Sequence, residues 1–366
     1  MRVLHAAAGN LYGGVERILV EIARASDRAV RHEFAICFDG RLARELRACG
    51  ATVHDLGAVR FSRPPSVWRA RRRLRSLLAG ADDAVVVAHS PWTYSLVAPA
   101  ARAARRVVWI HDVLHGGHWT ERRIVADPPD LAICNSTFSA HAFGQWAACV
   151  PHAVVYAPVH AFEVTAGARE SVRREVGEPD ARTVVVIASR FERLKGHDAL
   201  LRALAGVSGE WSLWMVGGAQ RASERDYLSE LDSLSQSLRI AERVRMFGER
   251  ADVPRILQAA DVLCQPNTAP EAFGLVFVEA LLARLPVVTT AVGGALEIVT
   301  PECGVLVPGD DARALTRALQ RLIDDPALRR GLGTAGPARA RALCDPERQL
   351  AHLHELLQPV AAGVRR

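Results

Sequence analysis

The chain has 366 residues, enough for about two domains of roughly 150 residues each, so two similar globular halves are expected and a minimal binding module is excluded. Hydrophobic residues make up 49% and charged residues 23%, the balance of a packed protein and not of a disordered chain. The 46 basic and 40 acidic residues leave a net charge of +6, which suits an anionic ligand or surface without demanding nucleic acid. Apolar stretches such as Leu275 to Val288 are broken by Glu279, Arg284 and Pro286, so no segment is expected to span a membrane.

From the start, Met1 to Ala8 is a short apolar run ending in glycines, which reads as a first strand and not as a signal peptide. Val3 to Ala8, Phe34 to Phe38, Val85 to His89, Val107 to His111 and Leu131 to Cys134 are predicted strands with amphipathic helices between them, beginning with a helix over Val15 to Arg24. After a loop-rich stretch around Ala157 to Gly167 the pattern restarts at Thr183 to Ser189, Trp211 to Gly217, Val244 to Phe247, Val262 to Gln265, Val287 to Thr290 and Val305 to Val307. Helices are predicted over Ala312 to Asp324, Pro326 to Leu343 and Pro346 to about Val360. Short buried strands alternating with helices predict an α/β protein of two doubly wound parallel sheets, residues 1–160 and 161–345, with 346–366 as a last helical segment. Two such sheets facing each other would share a crevice at the carboxyl ends of their strands, where ligands bind in this architecture. The seven cysteines are scattered and never paired as C-x-x-C, which suits reduced thiols in a cytoplasmic protein.

Motifs fall where that crevice is expected. Gly13 and Gly14 follow the first strand and precede a helix, so their amides would accept a phosphate; the alternative is a tight turn only. Asp39, after the second strand, keeps a dehydrogenase as a rival, although the glycine spacing is not G-x-G-x-x-G. The stretch Arg63 to Arg75 is arginine-rich around Trp68; it reads as a solvated helix face or as a contact for an anionic membrane. In the second half, Ser189 to Gly196 places Arg190 at a strand end and Lys195 before a helix, a cation pair suited to a diphosphate. Lys195 is the only lysine among the 46 basic residues, the other 45 being arginine, which points to a compact ammonium where a guanidinium fork would not fit. Glu279 lies in an otherwise apolar helix and needs a partner, either ligand hydroxyls or an internal arginine, while Glu271 stands at the mouth of that helix.

Taken together, R-x4-KG at Arg190 to Gly196, Phe247-Gly248, Ala260-Asp261, E-x7-E at Glu271 and Glu279, Pro286-Val287-Val288, Gly293-Gly294 with Glu297, and Gly304 to Gly309 resemble the retaining glycosyltransferases of family 4, with the two-domain GT-B architecture. The resemblance runs over Val184 to Asp325, and into the first half through Gly13-Gly14 and His111-Asp112. It implies transfer of a hexosyl group from a nucleoside-diphosphate sugar to an acceptor hydroxyl. No metal or other cofactor is required, and the acceptor is a carbohydrate, a lipid-linked or a small molecule. Arg190 and Lys195 would hold the donor diphosphate, Glu279 the ribose, and Glu271 the transferred sugar. Phe273 and the amides of Gly274, Leu275, Gly13 and Gly14 would complete the donor site. His111 would lie near the anomeric centre, with Asp112 orienting its ring and Tyr12 and Trp119 lining the acceptor region. The resemblance also implies that the last helix returns to the first domain.

His115 and His118 follow His111 and raise a metal reading, which the resemblance disfavours. Ser189, Asn267 and Gly217-Gly218-Ala219 depart from the usual pattern and leave the base and sugar open. A nucleotide-sugar 2-epimerase and a non-catalytic nucleotide-sugar-binding protein are the rival readings on the same architecture.

Overall fold

The computed structural model describes residues 1–25, 30–80, 84–162 and 165–358. The chain divides into two compact units, Met1–His160 with the chain from Cys344, and Ala161–Leu343. The first unit is built on seven strands: β1 (Arg2–Ala7), β2 (Arg31–Ile36), β3 (Thr52–Asp55), β4 (Val85–Ala88), β5 (Arg105–Ile110), β6 (Leu131–Cys134) and β7 (His152–Val154). Their order across the sheet is β3-β2-β1-β4-β5-β6-β7, with parallel pairing throughout. The second unit has β8 (Thr183–Ala188), β9 (Trp211–Val216), β10 (Val244–Gly248), β11 (Val262–Gln265), β12 (Val287–Thr290) and β13 (Gly304–Val307), ordered β10-β9-β8-β11-β12-β13 and also parallel.

Parallel sheets covered by helices bury both faces, so their strands are apolar end to end. Val85 to Ala88 and Val107 to Ile110 are fully buried in this way, as are Val184 to Ile187 and Val287-Val288. The strands that the apolar-run reading omits, β3 and β7, lie at the two edges of the first sheet and are half exposed, so neither carries such a run. Helix Ala312–Asp324 has the expected bounds, and Pro326–Cys344 runs one residue further than expected. The last described helix is Pro346–Leu357, started by Pro346 at its first position and by the Asp345 side chain accepting from the Arg348 amide; the expected end at Val360 lies outside the described residues. This helix belongs to the first unit, where the Gln358 carbonyl just beyond it accepts a hydrogen bond from Arg105.

In both sheets the chain runs outward one way from the first strand, then returns to build the other side. The reversal lies between β1 and β4 in one unit and between β8 and β11 in the other. Loops that leave neighbouring strands at a reversal diverge to opposite faces and open a crevice beyond the carboxyl ends.

One internal charge pair holds the second unit together beneath that crevice. Arg173 is 1% exposed and donates to Asp261 Oδ2 at 2.6 Å, to the Ala259 carbonyl at 3.2 Å and to the Arg182 carbonyl at 3.1 Å. Asp261 Oδ2 also accepts from the Val184 amide at 2.8 Å, which ties the helix Ala168–Glu175 to the starts of β8 and β11. Removing one partner of such a pair leaves a buried charge uncompensated. Asp261→Ala should therefore lower the unfolding free energy by roughly 3–5 kcal/mol in urea titration, and a loss within about 0.5 kcal/mol, the scale of a neutral surface change, would contradict this role.

Candidate functional site

The two loops at the second unit's reversal meet through Lys195. The loop after β8 runs through Ser189–Glu192 into a short 3-10 turn, Arg193–Lys195, and then the helix His197–Ala205. Lys195 Nζ donates to Glu271 Oε1 at 2.6 Å, and Glu271 sits in the loop between β11 and the helix Leu275–Leu282. Glu271 Oε2 accepts from the side-chain amides of Asn267, at 2.8 Å, and Gln265, at 3.0 Å. Both amides are fully buried, and their backbone carbonyls accept from Thr290 and Thr289 at 2.7 and 2.8 Å. The carboxylate is thus oriented by three donors, one from each of the two loops and one from the end of β11, while Lys195 and Glu271 keep 14% and 19% of their side chains open to solvent. An ammonium has three N–H donors; Glu271 takes one, so the cation retains capacity for an incoming anion.

Close backbone approach sets this geometry. Gly196 has φ +73°, and a Cβ there would lie 1.9 Å from the Pro266 carbonyl oxygen. A Cβ on Gly294 would lie 2.6 Å from the Ala272 oxygen, and the Gly294 amide donates to the Glu271 carbonyl at 2.8 Å. Any side chain at these positions would push the Lys195 and Glu271 loops off their strands. His197, packed beneath the loop, places Nε2 3.4 Å from Ser189 Oγ; burial, helped by the nearby Lys195 charge, pulls its imidazole down to about 4. It is neutral at physiological pH, so the positive charge at this point is that of Lys195.

Arg190 and Lys195 do not share a protein partner. Arg190 bonds Glu192 at 2.7 Å and the buried Glu224 at 3.0 Å, the core-carboxylate arrangement, and Glu224 in turn accepts from the Gln220 amide at 2.6 Å. Glu279 is buried on the helix Leu275–Leu282, and Phe273 is buried just before it. Gly274 caps that helix with φ +102°, and Leu275 is its first residue.

In the first unit the loop after β1 leads into the helix Gly14–Arg24, one residue earlier than expected. The Gly13 amide donates to Glu16 Oε2 at 2.9 Å, and a Cβ on Gly14 would meet nothing within 4 Å. Among the described residues, then, no neighbour would be crowded by a side chain at Gly14. Tyr12 donates its hydroxyl to Glu45, with the Arg41 guanidinium 3.8 Å above its ring; burial, foremost, pushes the phenol pKa up. Asp39, the dehydrogenase marker, is exposed and bonded to Arg47 at 3.0 Å.

Trp119 is 45% exposed and stands edge-on to Phe61 at 5.0 Å. His118 accepts from the Thr120 amide at the start of the helix Trp119–Ala126, a capping role, and His115 is exposed. Among the described residues no group of three His, Cys, Asp or Glu is placed to hold a metal ion. The arginine run forms the helix Pro64–Leu78. Val67, Ala70 and Leu74 are buried, Trp68 is 58% exposed, and Arg69, Arg72 and Arg75 are exposed, while Arg71 and Arg73 bond carbonyls of Ser95 and Asp55.

His111 follows β5 directly, and its ring meets His89, with Nε2 3.1 Å from His89 Nδ1; the expected orienting residue, Asp112, is exposed. His89 continues to His5, His5 to His32 and His32 to His354, at 2.9, 2.9 and 3.0 Å. Of these five only His111 is conspicuous in the sequence: His5 and His89 sit in apolar runs that read as core, and His32 and His354 stand in polar stretches far apart in the chain. Burial holds His5 and His89 well below the usual imidazole range, and His111 at about 3.

Comparison with known proteins fits this geometry. Both sheets have the 3-2-1-4-5-6 strand order of a Rossmann fold, and the fold is GT-B: HepE of Anabaena, solved with UDP and glucose, superposes with a TM-score of 0.87 over 98% of this chain and 99% of its own, at 26% identity. Residues 168–339, just under half of the chain and all within the second unit, match the family described as Glycosyl transferases group 1. A GDP-mannose-dependent monoacylated alpha-(1-6)-phosphatidylinositol monomannoside mannosyltransferase of Corynebacterium glutamicum is 31% identical over 48% of this chain and 46% of its own length. The chain thus spans less than half the length of that relative. The lipopolysaccharide core biosynthesis glycosyltransferase LpsD of Rhizobium meliloti is 29% identical over 93% of both chains.

The buried imidazoles give the protein an acid-sensitive stability. Folding keeps them neutral, whereas in the unfolded chain they protonate near the ordinary 6.5, so below that pH the unfolded state binds more protons. Their stabilising contribution is complete above about pH 6.5 and is lost as pH falls toward the folded values, by roughly 1 kcal/mol per pH unit for each ring. The urea midpoint should fall steadily from pH 7 to pH 5, well before carboxylates titrate; an unchanged midpoint over that range would show that the rings are solvated.

Proposed function

We propose that the protein is a retaining glycosyltransferase, of the family 4 type, that moves a hexosyl group from a nucleoside-diphosphate sugar to an acceptor hydroxyl without a metal ion. The observation that carries this reading is Lys195 held against Glu271 at the strand-order reversal of a group 1 glycosyltransferase domain. As the glycosidic bond breaks, negative charge grows on the departing diphosphate, and a preorganised ammonium in a partly desolvated loop stabilises that charge most where it develops. Arg190 adds a second positive group after β8 once the diphosphate competes with its carboxylate partners. Glu271 takes hydroxyls of the transferred sugar, Glu279 those of the ribose, and Phe273 with the amides of Gly274, Leu275, Gly13 and Gly14 encloses the phosphates. The open space around Gly14 supports this use of its backbone. His111 serves the acceptor hydroxyl, with Asp112, Tyr12 and Trp119 in the acceptor region.

UDP in the HepE complex and GDP-mannose in the mannosyltransferase name make UDP- and GDP-hexoses the first donors to test. Carbohydrate, lipid-linked and small-molecule acceptors all remain within the proposal, and nucleic acid does not. A 2-epimerase would convert the donor without releasing nucleoside diphosphate, so product analysis separates the two chemistries. Lys195→Ala should lower the rate of nucleoside diphosphate release by about 10² or more in a folded protein. Lys195→Arg should fail to restore it, because the fork does not fit a site shaped for an ammonium. Turnover near wild type in either variant would overturn the mechanism.

The setting proposed is cytoplasmic, in keeping with seven free cysteines, at the surface of an anionic membrane. No described helix is long and apolar enough to cross one. Trp68 with Arg69, Arg72 and Arg75 gives the helix Pro64–Leu78 a basic face with an aromatic anchor, each charge adding about 1 kcal/mol of attraction to anionic lipid. Replacing the three arginines by glutamate should abolish co-sedimentation with phosphatidylglycerol vesicles at low salt. Retained binding would remove this face from the reading.

A further inference from the structure

The five linked histidines follow a single geometric rule. In the parallel register Val3 lies opposite His32, so His5 is two residues ahead of it. His5 lies opposite Val87, two residues before His89. Ala88 lies opposite Val108, so His89, one residue past Ala88, is level with Trp109, and His111 stands two residues beyond Trp109, again an offset of two. Two residues is the repeat that keeps side chains on one face of a sheet. The rings therefore step diagonally across one face through β2, β1 and the ends of β4 and β5, with centroids 5.1 to 5.3 Å apart. His354, on the helix Pro346–Leu357, stacks on His32 at 5.1 Å and ends the series. Phe34 stacks on His5, and Trp109 lies against both His89 and His111, so an apolar wall accompanies the rings.

The atoms also follow a rule. Nε2 of His111 meets Nδ1 of His89, Nε2 of His89 meets Nδ1 of His5, and Nε2 of His5 meets Nδ1 of His32; Nε2 of His32 then meets Nε2 of His354. A neutral imidazole has one N–H and one lone pair. Each link needs one of each, so the first four rings share one tautomer: all donate toward His354, or all donate toward His111. In the first arrangement Nδ1 of His111 is a bare acceptor; in the second it carries hydrogen. That nitrogen is buried and has no hydrogen-bond partner among the described residues.

We propose that His111, His89, His5, His32 and His354 form a proton relay that accepts the acceptor hydroxyl's proton at His111 and discharges it at His354. This rests on the glycosyl-transfer reading of His111. The hydroxyl O–H breaks and its proton joins Nδ1 of His111. The Nε2 proton of His111 passes to His89 Nδ1, that of His89 to His5 Nδ1, that of His5 to His32 Nδ1, and that of His32 to His354 Nε2; the Nδ1 proton of His354 then passes to solvent water at the 9% of that residue left exposed. The oxygen's freed electron pair forms the new bond to the anomeric carbon, and the old glycosidic pair departs with the diphosphate. Every ring begins and ends neutral, which suits a core where burial disfavours imidazolium. His89, His5, His32 and His354 are positioning residues that act through His111.

The test uses the full chain labelled with 15N-histidine, together with His354→Gln and His354→Phe. Glutamine keeps a hydrogen bond to His32 but cannot pass a proton on, and phenylalanine keeps only the ring. Because protonated and bare ring nitrogens resonate far apart, both variants should shift the His111 nitrogen signals, four rings away, while exposed His115 and His118 stay unmoved. Both should also lower kcat about tenfold or more, below the full worth of a general base, with KM for the donor unchanged. The solvent proton inventory should change from curved in the wild type to linear in the variants. Unshifted His111 signals would overturn the relay, and so would a shifted spectrum with wild-type kcat. If the wild type releases nucleoside diphosphate from no donor tested, the functional reading fails on its own, and the spectra still decide whether the five rings act as one.

Discussion

A single ammonium held between two loops is the constraint around which the second unit's site is arranged. Lys195 leaves the end of β8 and Glu271 follows β11, and their 2.6 Å contact joins the two sides of the point where the strand order reverses. Buried amides of Gln265 and Asn267 fix the carboxylate from below, and the glycines at 196 and 294 let the backbones approach closely enough for the contact to form. Beneath lies the Arg173–Asp261 pair, which holds the starts of the same two strands. Charge, backbone sterics and sheet topology all act on one loop pair, and this agreement across levels marks a preorganised site.

Much of this was legible in the residues themselves. The four inner strands of the second sheet, β8, β9, β11 and β12, stand out because burial on both faces requires continuous apolar runs; the edge strands β10 and β13 are less buried but still carry apolar residues, whereas β3 and β7, at the edges of the first sheet, carry no such run. Lys195 and Glu271 are conspicuous, one as the lone lysine and the other by its place before an apolar helix, yet their pairing across 76 positions depends on which strands are neighbours. Arg190 shows the limit of spacing arguments: a strand-end arginine five residues before a lysine suggests one shared anion, but Glu224, from a helix further along the chain, claims it in the folded protein.

The histidine series was illegible for a different reason. His5 and His89 taken alone are core residues in apolar runs, His32 and His354 lie in polar stretches, and only the parallel register, with its offset of two residues per strand, and the docking of the last described helix reveal that the rings touch. Their four links make one continuous hydrogen-bonded path from the last described helix to the end of β5. The second unit presents ionic groups at its loops, while the first lines one face of its sheet with linked imidazoles.

A crystal structure of the full chain with UDP or GDP bound tests the role of Lys195 at once. The diphosphate should sit beyond the ends of β8 and β11, with Lys195 Nζ within hydrogen-bond distance of a phosphate oxygen. A nucleotide bound elsewhere, or a diphosphate in that crevice with Lys195 turned away from it, would rule that role out.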